Sequence, residues 1–185
     1  MQTNRTLVAL GLGLALAGCK INIDSEHHNG SSDPLCQALG GGGASVDSTP
    51  STGSSLDNAR AAFDGNLSSL ARYEVSGGSG SLILRGTAQS GVVHGPGGAG
   101  LLISQQSGDQ TVRVMISTYL DGVLQFTGEA GTQTGSSQSC AGSCLNRADQ
   151  SYFGIDSPGS FDAIEASIQL IGLPGGLDIR ELCTR

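Results

Sequence analysis

Tryptophan is absent from this 185-residue chain, and three Tyr and four Phe make up only 4% of it. A core must therefore be built from Leu, Ile, Val and Ala. Bases are scarce: 9 Lys and Arg stand against 16 Asp and Glu, for a net charge of −7. Such a chain is repelled by nucleic acid and by anionic lipid surfaces, and no basic stripe argues otherwise, so nucleic acid is excluded as a partner. No apolar run approaches the roughly 20 residues that a membrane-spanning helix needs. Beyond residue 28 the only histidine is His94, in the loop-like Val93-His94-Gly95-Pro96, where a solvated role is expected. Nucleophilic catalysis by Ser or Cys with His and an acid is left without support. Gly-x-Ser-x-Gly, a phosphate loop and His-Glu-x-x-His are missing too. Glycine-rich Gly91–Gly100 precedes no helical pattern that would offer a phosphate-binding N-terminus. Asp162 and Glu165, the nearest paired carboxylates for glycoside hydrolysis, are three apart on a strand-like segment and point to opposite faces.

What is present begins at the N-terminus. Arg5 is followed by an apolar run from Leu7 to Ala17 that ends in Leu16-Ala17-Gly18-Cys19. A basic start, a short apolar stretch and small residues before a cleavage point form a secretory signal over residues 1–18. The four-residue ending resembles the lipobox of bacterial lipoproteins. That resemblance implies diacylglycerol on the sulfur of Cys19, cleavage before it, and a membrane held through acyl chains rather than a helix. By the same resemblance, Lys20 rather than Asp after the cysteine implies the outer membrane. Cleavage leaves 167 residues, 8 bases and a net charge of −8, which is one domain of ordinary size.

After Cys19 four cysteines remain: Cys36, Cys140, Cys144 and Cys183. An even count in an oxidising compartment reads as two disulfides with three possible pairings, of which Cys36–Cys183 and Cys140–Cys144 are favoured. The second would close a short loop, and the first would tie the start of the domain to its last strand. A metal or redox site at Cys140 and Cys144 is the rival, weakened by the three-residue gap and by the lack of a second ligand pair nearby.

Residues 19–55 are rich in Gly, Ser, Asp, Asn and Thr, and read as a flexible tether. Asp24, Glu26, His27, His28 and Asp33 within it are either a loose metal patch or, preferably, a solvated linker. From residue 56 the texture changes. Leu56 to Phe63 predicts a short helical turn with Asp57 as its cap. Then Ile164, Ala166, Ile168 and Leu170 alternate with polar residues, as do Val112, Val114 and Ile116, and Leu82 with Leu84. Period two is the mark of a strand with one face buried. Further strands are expected at 101–104, 123–127, 152–155 and 177–182, with Asp121-Gly122 as a hairpin turn. Phe126 and Phe161 read as core residues. The expectation is an all-β, jelly-roll-like antiparallel sandwich over 56–185. An irregular β-solenoid is the runner-up, without a repeat period to support it.

Three segments together resemble the galactose-binding-like β-sandwich of discoidin and carbohydrate-binding modules: Ala61-Ala62-Phe63-Asp64-Gly65-Asn66, Phe161-Asp162-Ala163-Ile164-Glu165, and Leu177 to Leu182. The resemblance implies a structural calcium at Asp64, Asn66 and Glu181, though no motif requires a cofactor. It also implies an aromatic ring stacked on a sugar. The tryptophan that often follows the Asp-Gly-Asn turn is missing, so Tyr119 beside the hairpin turn is the candidate ligand residue. The expected function is a non-enzymatic, membrane-anchored envelope lipoprotein that binds a glycan or an envelope protein. The alternatives are a structural or assembly component without a small ligand, and a hydrolase of unrecognised type.

Overall fold

Strand pairing accounts for most of residues 35–39, 45–104, 110–135, 140–147, 149–172 and 174–185, which the computed structural model describes. All fall within one unit, Asp33–Arg185. In chain order the strands are β1 (Gln37–Ala38), β2 (Ser45–Pro50), β3 (Ser54–Asp57), β4 (Ala71–Val75), β5 (Ser79–Thr87), β6 (Gly97–Ser104) and β7 (Thr111–Leu120). They continue with β8 (Val123–Thr134), β9 (Cys140–Ala141), β10 (Cys144–Arg147), β11 (Gln150–Ser157), β12 (Ala163–Ile171) and β13 (Gly175–Thr184). One sheet has the order β10-β11-β6-β13-β4-β3, with β1 also on β13; the other runs β2-β5-β12-β7-β8-β9. Every pairing is antiparallel. The all-β, jelly-roll-like sandwich expected from the sequence is what the chain forms.

The alternating residues do what their period predicts. Leu82 and Leu84 of β5, Val112, Val114 and Ile116 of β7, and Ile164, Ala166, Ile168 and Leu170 of β12 are buried. They share one core with Ala71 and Tyr73 of β4, Leu101 and Ile103 of β6, Phe153 of β11, and Leu177 and Ile179 of β13. Each Val, Leu or Ile among them contributes about 1.5–3 kcal/mol by leaving water. Asp121 and Gly122, at φ 51° and 78°, make the tight turn between β7 and β8, both in the left-handed region that this hairpin geometry demands.

Three expectations are corrected. The tether does not extend to residue 55, because β1, β2 and the start of β3 lie in 37–55. β2 pairs along β5 from Ser45 to Pro50 at the margin of its sheet, where an edge strand needs hydrogen-bond partners on one side only and tolerates Pro. Its polar sequence therefore hid it. The helical turn is a 3-10 helix, Ala59–Phe63, capped in position by Asn58 in the left-handed conformation rather than by Asp57, which ends β3. Phe126 is 37% exposed, whereas Phe161 is in the core. Phe126 does share the inner face with its buried register partner Thr118, as alternation predicts, but near the start of β8 it keeps part of its surface in water.

The 3-10 helix turns Ala61, Ala62 and Phe63 into the core. The Phe63 ring lies on Gly86 of β5, where an added Cβ would come within 2.3 Å of it. Outside the main core, Leu35, Cys36, Leu102, Tyr152 and Cys183 form a second apolar cluster. The Cys36–Cys183 disulfide expected from the sequence is present in it and spans 147 residues. The signal segment 1–18, Cys19 and the tether acids and histidines lie outside the described residues. Among the described residues no helix is long and apolar enough to cross a membrane.

Replacing Cys36 and Cys183 together by Ala is expected to lower the unfolding free energy by about 4–5 kcal/mol, the chain-entropy value for a loop this long. Urea unfolding of the oxidised and substituted proteins measures it. Equal midpoints would mean that Leu35 to Leu39 docks without help from the bond.

Candidate functional site

The local structure that organises the site is a break in the register of β13. Ile179 pairs with Ile103, but Glu181 pairs with Leu102, so Arg180 is an extra residue. A bulge of this kind reverses the inside–outside alternation that follows it. Leu177 and Ile179 point into the core before the bulge, and Leu182 does so after it. Glu181 and Cys183 accordingly share the outer face with their register partners Leu102 and Gly100. Arg180 also serves this face, donating from Nε to Ser104 Oγ (3.1 Å) and from Nη1 to the carbonyl of Leu67 (3.0 Å). The second bond holds down the loop that joins the 3-10 helix to β4.

That loop gathers oxygens. The Asp64 carboxylate accepts the Asn66 backbone N–H at 2.8 Å, and the Asn66 side-chain oxygen accepts the Ser68 N–H at 3.1 Å. These two turns curl the chain so that Ser69 Oγ sits 2.9 Å from both Asp64 carboxylate oxygens, 2.7 Å from the Asn66 carbonyl and 3.2 Å from the Ala61 carbonyl. One hydroxyl has one proton, so it satisfies one of these acceptors and crowds the rest. Two of these acceptors also hold a backbone N–H, Asn66 on Asp64 and Ser69 on the Asn66 carbonyl at 2.9 Å, and converging oxygens of this kind suit a hard cation.

Glu181 lies beside the loop. It is completely buried, and among the described residues neither carboxylate oxygen has a hydrogen-bond partner. Burial is the main reason its pKa rises to about 8; the Gly65 backbone amide opposes the shift without completing a bond, and nearby Asp64 adds to it. The unfolded chain loses this proton near the ordinary value of 4.5 while the folded chain keeps it to about 8, so stability falls as pH rises through that window. A buried carboxylate without a partner needs either a proton or a cation.

The structure thus brings Asp64, Asn66 and Glu181 into one neighbourhood and changes the part each plays. Asn66 presents its backbone carbonyl to the cluster, since its side chain caps the turn. Ala61 and Ser69 were missed by sequence reasoning, because a carbonyl carries no sequence signal and a serine in a loop is common. The donor set fits calcium, which takes carboxylate, hydroxyl and carbonyl oxygens together. Among the described residues no group of three or more His, Cys, Asp or Glu is placed to hold a metal, so neutral oxygens would supply the rest.

Tyr119 is half-buried on the outer face of the six-stranded sheet. Arg85 covers one side of its ring at 3.9 Å from the centroid, and its hydroxyl donates to Glu165 at 3.2 Å. Burial, with Glu165 next, raises its pKa. One ring face is therefore taken by the protein itself. Glu165 is committed to that bond, whereas Asp162 accepts the Asp121 N–H at 3.1 Å and so fastens the hairpin turn. His94 is fixed rather than solvated: Nε2 bonds the Leu39 carbonyl at 2.8 Å and the ring stacks on Phe161 at 5.6 Å. Cys144 is disulfide-bonded, and the side chain of Cys140 lies outside the described residues.

Two open clefts lie along the seven-stranded sheet. One, of about 400 Å³, is lined by Gly98, Gly154, Asp156, Arg185 and the edge of Tyr152. The Tyr152 ring lies across Gly100 and Gly154, where an added Cβ would come within 2.6 Å of it, and burial pushes its pKa to about 12. The other, of about 540 Å³, opens where β3, β4 and β13 meet, between Ser55, Arg72, Glu74 and Gly176.

No protein-family model and no curated protein matches the chain. Among solved structures the chain is similar to the family 32 CBM from C. perfringens NanJ in complex with galactose, at 20% identity over 80% of this chain and 97% of that one, with a TM-score of 0.44. It is also similar to the CBM32 of AlyQ in complex with 4,5-unsaturated mannuronic acid, at 16% identity over 76% and 93% of the two chains and a TM-score of 0.35. TmCBM61 in complex with beta-1,4-galactotriose is a third, at 8% identity over 76% and 86%, with a TM-score of 0.35.

Proposed function

We propose that this chain is an exported lipoprotein, held to the outer membrane by acyl chains on Cys19, whose β-sandwich is a non-catalytic binding module for a glycan. The observation that carries the binding role is the pair of open clefts on the seven-stranded sheet, framed by glycine backbone, hydroxyls and charged side chains. Strands hold these groups, so little is lost in ordering them around a ligand. The export signal and lipobox support the address, and the Cys36–Cys183 bond suits an oxidising compartment outside the cytosol. A second reading, a component that docks to an envelope protein without a small ligand, is favoured by exposed Val123, Leu124 and Phe126 near the start of β8.

A structural calcium belongs to the proposal. Carboxylate oxygens of Asp64 and Glu181, the Ser69 hydroxyl and the carbonyls of Ala61 and Asn66 would hold it. Bound there, calcium supplies the positive charge that the Glu181 carboxylate lacks, and fastens the 64–69 loop to β13.

Three measurements test these points. Cells fed labelled palmitate are expected to yield labelled protein with residues 1–18 removed; unlabelled protein that keeps its leader would refute the anchor. A glycan array probed with the purified chain is expected to show binding to at least one glycan, and silence across all of them would favour the docking role. In thermal melts above pH 8, calcium at about 100 times its Kd adds about 2.7 kcal/mol, roughly 5–10 °C for a domain of this size, over the value in chelator. Glu181→Gln removes that difference and, in chelator above pH 8, melts higher than the parent because no charge is buried. Equal parent midpoints with calcium and with chelator would end the calcium assignment.

A further inference from the structure

The larger cleft has an ordered pattern of charge. Register places Asp57 of β3, Arg72 of β4 and Asp178 of β13 in one row across the outer face, and Ser55, Glu74 and Gly176 in the next. Arg72 Nη1 meets Asp178 at 2.6 Å, and its Nε meets Glu74 at 3.4 Å. Its guanidinium lies flat over Gly176, where an added Cβ would come within 2.8 Å of Cζ, Nε and Nη2. The rim is fixed as well: Ser76 donates to the Gly53 carbonyl from both its backbone N–H (3.0 Å) and its hydroxyl (2.7 Å), and Ser54 Oγ donates to the Ser51 carbonyl at 2.7 Å.

Two carboxylates, Glu74 in the cleft lining and Asp178 beside it, bond the one guanidinium, so this cluster has more acceptors than donors and a net negative charge. An anionic ligand is repelled, while a ligand rich in O–H donors is welcomed. The guanidinium plane is weakly hydrated and offers a flat face to the C–H side of a sugar ring, which suits a chain without tryptophan. A cleft of about 540 Å³ lies within the usual range for small-ligand sites. We infer that this cleft is the binding site for an uncharged saccharide, with Arg72 and Glu74 as its contact residues and uronates excluded. The inference rests on the glycan-binding reading and adds the place and the class of sugar.

The test uses the full chain with immobilised glucans, galactans and mannans, set against polygalacturonate and alginate, by biolayer interferometry. At least one neutral polymer is expected to bind and the uronate polymers are not. Arg72→Ala and Glu74→Ala should each weaken the neutral ligand by about tenfold or more, the usual effect of losing a hydrogen bond to a charged group. Both positions are exposed, so melting midpoints close to the parent's are expected, and these confirm that the variants fold. Gly176→Val, which displaces the guanidinium, gives an independent route to the same loss. Neutral binding that survives all three substitutions within about twofold, or uronate polymers bound as well as neutral ones, would overturn the site while leaving the glycan-binding reading intact. Absence of binding to any polymer would overturn both.

Discussion

One extra residue in the last strand sets much of the molecule's outer architecture. A β-strand alternates sides with period two, so β13 without Arg180 as a bulge would aim Glu181 and Cys183 into the core and Leu182 at solvent. Two polar or reactive groups would then displace aliphatic packing. With the bulge, Leu177, Ile179 and Leu182 all reach the core, while Arg180, Glu181 and Cys183 reach the opposite face. There they meet three separate things: the Leu67 carbonyl, the Asp64 turn and Cys36. The N-terminal segment and the oxygen-rich loop are thus both fastened to the same few residues of one strand.

The shortage of aromatic rings is met by pairing large rings with glycines. Phe63 fills the space above Gly86, and Tyr152 covers Gly100 and Gly154. In each place a ring lies where a neighbouring side chain would otherwise stand, so one aromatic seals the area of two residues. Abundant glycine, read from composition as a sign of turns, therefore also serves inside strands. On the seven-stranded sheet this arrangement brings Tyr152 and Gly154 to the border of one cleft.

Polar groups on the two outer faces are largely spent on one another. Tyr119 is held between Arg85 and Glu165, Asp162 secures the hairpin turn, and Arg72 lies between Asp178 and Glu74. Exposed ion pairs of this kind contribute little to stability, commonly under about 1 kcal/mol, so their value lies in fixing side-chain direction. Glu181 differs, because its carboxylate is buried without a hydrogen-bond partner among the described residues. A chain that keeps such a group must supply it with a proton or a cation, and the neighbouring oxygens of the 61–69 loop are of the type that shares a cation.

The sequence by itself determined the strands with clean alternation, β5, β7 and β12, the hairpin at Asp121-Gly122 and the all-β class, because side-chain period and left-handed turn residues are local properties. It also pointed to Asp64, Asn66 and Glu181 through a family resemblance, and to the Cys36–Cys183 pairing through an even count of cysteines of which two, Cys140 and Cys144, stand close enough to close a short loop. Tertiary structure decided what local pattern cannot encode. β2 is a strand because β5 offers it a partner along its length, not because its Ser and Thr residues demand it. Phe126 faces inward beside buried Thr118 yet stays partly exposed, because alternation gives the face of a side chain and not how much of the other sheet covers it. Ser69 and the carbonyls of Ala61 and Asn66 converge because two side-chain turns fold the loop, and Glu181 comes to lie beside them because a single inserted residue reverses the face of the strand that carries it.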